Sequence, residues 1–305
     1  MTFLPAEVVQ AQAWTQPPGG AYLKAFYGKV DAAEQYAFDG QAVDFISGLP
    51  GDTFRDRSLY LYSETGLSKA VTLVLTVPYK RIFVRDQAYR FRTFAFGSVA
   101  IGARVSLLEV LGRQPSRNAL AANLSANVPM GYKRNYAPSG GPGQVDLQAM
   151  VNYGRSFWPF PAYAQGGAGY RHRTSVFAFS GAVECQQGRD INCIGDVRPD
   201  FGDEVLFSAE VGGTPFGGAL LVQGLVGGSW SVGAPSVGFS ALNPIPTHQR
   251  FVKMGGGATV YPFEVLGMPA LESIGVGLQY FLTTMGRNTI NSRDLFVGIE
   301  FRTQL

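Results

Sequence analysis

Period-two alternation runs through this chain almost from end to end. In "DLFVGIEFRTQL", at the C-terminus, Leu295, Val297, Ile299 and Phe301 fall on one face of an extended strand. Phe296, Gly298, Glu300 and Arg302 fall on the other. "KAVTLVLTVPYKRI" places Val71, Leu73, Leu75 and Val77 together, and "FAFGSVAIGARVSLL" sets Val99, Ile101, Ala103 and Val105 against Ser98, Gly102, Arg104 and Ser106. "QVDLQAMVNYG" opposes Val145, Leu147, Ala149 and Val151 to Asp146, Gln148 and Asn152. "AYAQGGAGYRHR" keeps Gln165, Arg171 and Arg173 on one side, and "DEVLFSAEV" keeps Glu204, Ser208 and Glu210 opposite Val205, Phe207, Ala209 and Val211. With "AYLKAFYGKV", "RFVKMGGGATVYPF" and similar runs, the pattern predicts about twelve strands.

The links between strands alternate in length. Short ones are expected near 64–69, 108–118, 155–161, 212–218 and 264–271; longer, more polar ones span 31–57, 80–90, 131–143, 174–203 and 231–249. "MGRNTINSRD" is intermediate. Short turns on one rim and long loops on the other fit an up-and-down antiparallel transmembrane β-barrel, an all-β fold with both termini on the periplasmic rim.

Such a barrel resolves which face is inside. A soluble sheet would turn its apolar face to a core, whereas a barrel in lipid turns it outward and keeps the charged face in the lumen. The predicted lumen-lining set is Lys24, Arg104, Asp146, Gln148, Arg171, Arg173, Glu204, Glu210, Lys253, Glu300 and Arg302. Tyr22, Tyr79, Trp158, Phe160, Trp230 and Tyr261, near strand ends, suit the interfacial aromatic girdles.

Composition agrees. Charged residues are 15% of the chain, against roughly 25% in soluble domains. The 39 glycines, 13% aromatics and mean hydropathy of +0.05 do not fit a helical membrane protein. The longest stretch free of charge, 211–249, is broken by Gly, Pro and Ser and cannot form a spanning helix. A net charge of +3 without a Lys/Arg run excludes a nucleic-acid partner. "AQA" before Trp14 fits a signal cleavage site, so residues 1–13 read as a signal-peptide remnant or a disordered N-terminus, and 14–305 as the barrel.

Candidate chemistry is sparse. Cys185 and Cys193, in "CQQGRDINC", suit a disulfide in an oxidising compartment, with two free thiols as the alternative. The chain has too few His and Cys for a metal set, and nothing points to a cofactor. His172 and His248 are the only histidine bases available; no G-x-S-x-G elbow accompanies them, and the chain does not read as an enzyme. Asp146, Glu204, Glu210 and Glu300 are expected to meet Arg104, Arg171, Arg173 and Arg302 as a lumen network rather than to act as acid/base pairs.

"LYLYSETGLSKAVTLVLTVPYKRI", "VPMGYKRN", "GPGQVDLQAMVNYGRSF", "GAGYRHRT", "PDFGDEVLFSAEVG" and "TTMGRNTINSRDLFVGIEFR" together resemble a family of outer-membrane barrels named for meta-pathway phenol degradation. That family is loosely akin to hydrophobic-compound outer-membrane channels, and the resemblance covers nearly all of the chain after Trp14. It implies a monomeric barrel of twelve strands in the outer membrane and a passive transporter, and carries no substrate over. The polar-lined barrel with long external loops itself leads to the expectation of a passive channel for small solutes, aromatic or hydrophobic ones among them. Only about a dozen residues precede Trp14, which predicts no long N-terminal plug. The alternative is a structural or binding protein with a plugged lumen, acting through its external loops. Its expected partners are outer-membrane lipid and a small-molecule solute.

Overall fold

A computed structural model describes residues 12–45, 53–85, 90–113, 117–182, 184, 193, 198, 200–216, 218–233, 247–266, 268 and 273–303. Its strands are β1 (Ala21–Tyr36), β2 (Ala42–Asp44), β3 (Phe54–Gly66), β4 (Val71–Arg85), β5 (Arg90–Phe96), β6 (Ser98–Ser106) and β7 (Asn118–Pro129). They continue as β8 (Asp146–Ser156), β9 (Ala162–Arg173), β10 (Glu204–Gly213), β11 (Leu220–Ser231), β12 (Arg250–Val260), β13 (Ile274–Arg287) and β14 (Thr289–Thr303). Two one-turn helices, α1 (Leu107–Val110) and α2 (Pro262–Val265), sit in links.

Each strand pairs antiparallel with its neighbour, and β1 pairs with β14 from Ala21↔Thr303 to Tyr36↔Thr289. That pairing closes a ring of twelve strands, leaving β2 and β5 outside it. Closure removes the unpaired edges that an open sheet could not leave in lipid. The termini share one rim with the links at 66–71, 106–118, 156–162, 213–220 and 260–274. The opposite rim is called the far rim below.

The alternation reads directly as inside and outside. Along β1, Tyr22, Lys24, Phe26, Gly28 and Val30 are buried, while Leu23, Ala25, Tyr27 and Lys29 are exposed. The outer face is a continuous apolar band, with Leu59, Leu61, Leu73, Ile101, Leu124, Val151, Val211, Leu278, Val297 and Ile299 all exposed. A band of that extent belongs against acyl chains. Glycines let bulky neighbours fit across strands: a Cβ on Gly28 would lie 2.9 Å from the Phe296 ring, and one on Gly298 2.5 Å from Phe26.

Three local expectations change. The long loop predicted at 80–90 is mostly sheet: β4 runs on to Arg85 and β5 returns along it, Tyr79↔Phe96 to Arg85↔Arg90. Alternation continues through "PYKRIFVR", with Ile82 and Val84 buried, so the strand outlasts the apolar band. The intermediate link "MGRNTINSRD" is also strand, turning at Asn288, whose φ of 50° suits Asn. And Tyr22 and Tyr261 are not girdle residues; both are buried, and their hydroxyls bind Glu300. Tyr79, Trp158, Phe160 and Trp230 are exposed on the outside.

Candidate functional site

The lumen is where this chain concentrates its chemistry. β14 and β1 place Glu300 beside Tyr22, whose hydroxyl donates to it at 2.7 Å; Tyr261 donates from the other side, and Arg302 Nη2 lies 3.1 Å away. Arg302 also stacks over the Tyr22 and Tyr261 rings, at 5.8 and 5.1 Å. Lys24 is 5% exposed and lies over the Phe26 ring at 5.5 Å. Glu210, on β10, accepts from Tyr163, from Gln165 at 2.8 Å and from Gln223 at 2.7 Å.

Nearer the far rim the pairs are ionic. Arg171 Nη1 donates to Glu204 at 2.9 Å while its Nη2 and Nε hold Gln148 at 2.8 and 3.1 Å. Arg173 reaches Glu204 and Asp146, both at 3.4 Å, and lies 4.7 Å over Phe201. Lys253 pairs with Asp294 and donates to Ser292 at 3.0 Å. Lys80 donates to Asp56 at 3.1 Å and to Tyr60 at 2.8 Å. Between the two levels, Phe26, Tyr60, Tyr62, Leu225, Phe281 and Phe296 form a mainly aromatic cluster, Phe26 stacking on Tyr60 at 4.8 Å.

Of the eleven residues of the predicted set, ten are buried and Arg302 is exposed at the end of β14, and some partners differ from expectation. Arg104 takes Glu64 at 3.0 Å rather than any of the four predicted carboxylates, and Glu210 is held by a tyrosine and two amides rather than an arginine. Glu64, Asp56, Asp294 and Lys80, with Tyr60, Tyr62 and Tyr163, join this network from outside the predicted set. Their inward positions were readable from the alternation in "RDRSLYLYSETG", where Asp56, Ser58, Tyr60, Tyr62 and Glu64 share one face.

The larger surprise is at the termini rim. Residues 12–20 turn into the barrel mouth and bind across it. Asn123 donates to Gln12 O at 3.1 Å, Ala13 N to Gln165 at 3.2 Å, Arg104 Nη1 to Trp14 O at 2.8 Å, and Gln16 to Glu64 at 2.6 Å. Trp14 packs edge-on against Tyr163 at 5.9 Å. No long plug is needed for this: a dozen-strand barrel is narrow, so nine residues bridge β3, β6, β7 and β9. "QAWTQPPGG" carried the signal, an aromatic and a Pro/Gly turn just before β1.

The far mouth is obstructed differently. Residues 131–144 fold inward, with Tyr132, Asn135, Ala137, Ser139 and Gln144 buried. Thr93, on β5, donates to Pro138 O at 2.5 Å, and Gly143 N donates to the Tyr132 hydroxyl at 2.9 Å. Burial pushes the Tyr132 phenol up to about 12, so it stays protonated at neutral pH. Between the two obstructions lies a cavity of about 50 Å³ touching Gln12, Tyr62, Thr76, Arg104, Asn123 and Gln148. A water takes up roughly 30 Å³ and ligand pockets run to roughly 300 Å³ or more, so this cavity has room for water but not for a solute.

The histidines lie outside the lumen network. His172 faces outward, 3.1 Å from Asp203, which also accepts from Tyr170 at 2.6 Å and from Arg173 N at 2.7 Å. Burial raises the Asp203 carboxyl, but those hydrogen bonds outweigh it and hold it below its usual value. Among the described residues no serine hydrogen-bonds to the pair. His248, beside Gly202 and Gly233 at the far rim, is hydrogen-bonded to Thr247 at 3.2 Å. Cys193 is buried, is not a free thiol, and bridges backbone to Tyr136; Cys185 lies outside the described residues, as does most of the predicted N-terminal leader.

The chain matches no family profile and no curated protein sequence. Among solved structures it is similar to the COG4313 outer membrane channel from Pseudomonas putida F1, at 13% identity and a TM-score of 0.65, over 97% of this chain and 100% of that one. Looser likenesses, at TM-scores of 0.48 and 0.44, are to the translocator domain of the autotransporter NalP from Neisseria meningitidis and the Ralstonia pickettii toluene transporter TbuX. Their identities are 12% and 6%, over 94% and 98% of this chain and 90% and 94% of theirs, and they carry no functional weight. The first likeness is one of fold: this chain is built as an outer-membrane β-barrel.

Proposed function

We propose that the protein is a passive outer-membrane channel for small solutes, aromatic ones among them, that rests closed. The observation carrying this is the way the lumen is shut. Residues 12–20 are irregular chain held by hydrogen bonds and one ring contact, not a strand of the wall, and a small cavity of mixed polar and apolar lining already lies behind them. Gly19 and Gly20 are backbone-paired to Gly66 at the end of β3 and form the hinge; the stopper ahead of them, 12–18, leaves without breaking a ladder bond. The aromatic cluster and tyrosine hydroxyls beyond it offer apolar faces and polar handles to a planar solute with a polar group. In this reading the termini and short turns lie on the periplasmic side, and the broader overhang faces out.

The experiment is conductance in planar bilayers and solute-driven swelling of liposomes, comparing the full chain with one lacking residues 12–18. Flux in both, larger in the truncated protein, is the expected result. A folded truncated barrel without flux would overturn the channel.

A second reading has its own support. Glu204, Arg171, Arg173 and Asp146 form a buried network along β8 to β10 at the far mouth, and a lumen kept shut there would make the protein a binding or structural one acting through its far-rim segments. Silence of both proteins in the same experiment is what that reading expects.

A further inference from the structure

One sector of the outer surface is unlike the rest. On β14, β1 and β3, the residue two positions beyond the last outward apolar side chain is a cation: Leu295 gives way to Arg293, Tyr27 to Lys29 and Leu59 to Arg57; on β4 Arg81 follows Tyr79, with Phe83 outward beyond it. Beside them, Phe94 on β5 gives way to Arg92, and Arg55 follows Arg57 on β3. Two residues are about 7 Å of strand, so the cations begin one row above the apolar band. They lie on neighbouring strands, Lys29 opposite Arg57 and Arg81 opposite Phe94.

Of the nearby carboxylates, Asp31 takes up Arg57 and Lys29, and phosphate contacts are left to Arg55, Arg81 and Arg92. Asp31 holds Arg57 and sits 3.6 Å from Lys29; Glu34 and Asp44 lie farther along the overhang, Glu34 accepting from Asn291 at 2.8 Å. Asp56 and Asp294 point inward to Lys80 and Lys253. Across the barrel, the equivalent outward positions on β8 to β11 hold Leu147, His172, Val205 and Trp230, with no such run of cations among the described residues.

The guanidinium of Arg81 lies 5.1 Å over Phe83 and 5.2 Å over Phe94. That stacking fixes a planar, doubly hydrogen-bonding cation at the depth where acyl chains end. A nucleic acid or soluble acidic protein would not need its cations seated on the lipid boundary; a lipid phosphate would.

We propose that this sector binds the phosphates of membrane-lipid headgroups at the far rim. Arg55, Arg81 and Arg92 supply the phosphate contacts, and Tyr79, Phe94 and Phe96 bed the first segment of the acyl chains. The surface then serves as a fixed lipid site rather than as a general attraction to a charged leaflet.

The test uses the full protein in detergent micelles, with bisphosphorylated lipid A as the probe and native mass spectrometry as the readout. The phosphorylated lipid is expected to stay on the protein and the same lipid stripped of phosphate to come off. The triple variant Arg55→Gln, Arg81→Gln, Arg92→Gln should weaken retention by about a hundredfold, three cations' worth. A control triple, Arg113→Gln, Arg117→Gln, Arg155→Gln, at the termini rim should retain the lipid, and millimolar inorganic phosphate should not displace it. Equal retention of the stripped lipid, equal loss in the control, or displacement by phosphate alone would overturn the site. Should the triple variant not fold, the two lipids on the unaltered protein decide.

Discussion

At the scale of single residues, Arg104 ties the stopper to the wall. It joins Glu64 on β3, Asn123 on β7 and the Trp14 carbonyl. Arg104→Ala leaves Glu64 buried without its cation, which costs about 3 kcal/mol at the low end for a broken buried pair. Urea unfolding in lipid vesicles should show that loss, and bilayer recordings of the folded fraction should show raised conductance. His248 reports on pH. Burial lowers its pKa from 6.5; Asp200 pulls it up, Arg173 and Arg250 push it down, and Glu204 pulls it up. The unfolded chain therefore takes up the proton first. Stability is full above about pH 6.5 and falls as pH drops below it, until the folded imidazole is protonated as well. His248→Gln should flatten that slope in unfolding midpoints compared between about pH 7 and pH 5; a parallel slope in both proteins would locate the acid sensitivity elsewhere.

At the scale of elements, the stopper rests on glycines. A Cβ on Gly66 would lie 2.0 Å from the Pro17 carbonyl oxygen, and one on Gly154 2.5 Å from the Trp14 ring. Gly66→Ala on β3 and Gly154→Ala on β8 attack the same segment from different parts of the wall. Both should raise conductance while leaving the heat-dependent gel mobility of the barrel unchanged; if neither does, the segment is not what limits flow. The strands themselves were legible in the sequence because lipid and lumen impose opposite chemistry on alternate positions. Their lengths were not. β4 and β5 continue past the membrane band, where Ile82, Val84 and Phe91 meet Val30, Phe54 and Ile290 in a separate small core, and the loop signal of "KRIFVRDQAYR" was charge that the strands carry, Arg81 and Arg90 on the outer face and Lys80 turned inward to Asp56. The inward fold of 12–20 was illegible for a different reason: its partners lie on four separate strands, and no local pattern encodes that meeting.

At the scale of the whole molecule, inside and outside carry different tolerances. Ile101 is 53% exposed near the middle of β6, on the lipid face. Ile101→Arg should cost about 2–4 kcal/mol in unfolding from vesicles, the depth-dependent cost of a cation in the bilayer. A negligible loss would mean that the apolar band is not where the bilayer sits. The pairing of Ala21 with Thr303 has a consequence for how the molecule comes to exist. The seam joins residues separated by nearly the whole chain, so the contact with the greatest entropy of closure waits for the last strand to be made. Until then β1 and β14 are both bare edges in an environment that punishes them. Because residues 12–20 lead directly into β1, the arrival of β14 anchors their tether as well, and the newborn barrel acquires its wall and its bolt in a single event.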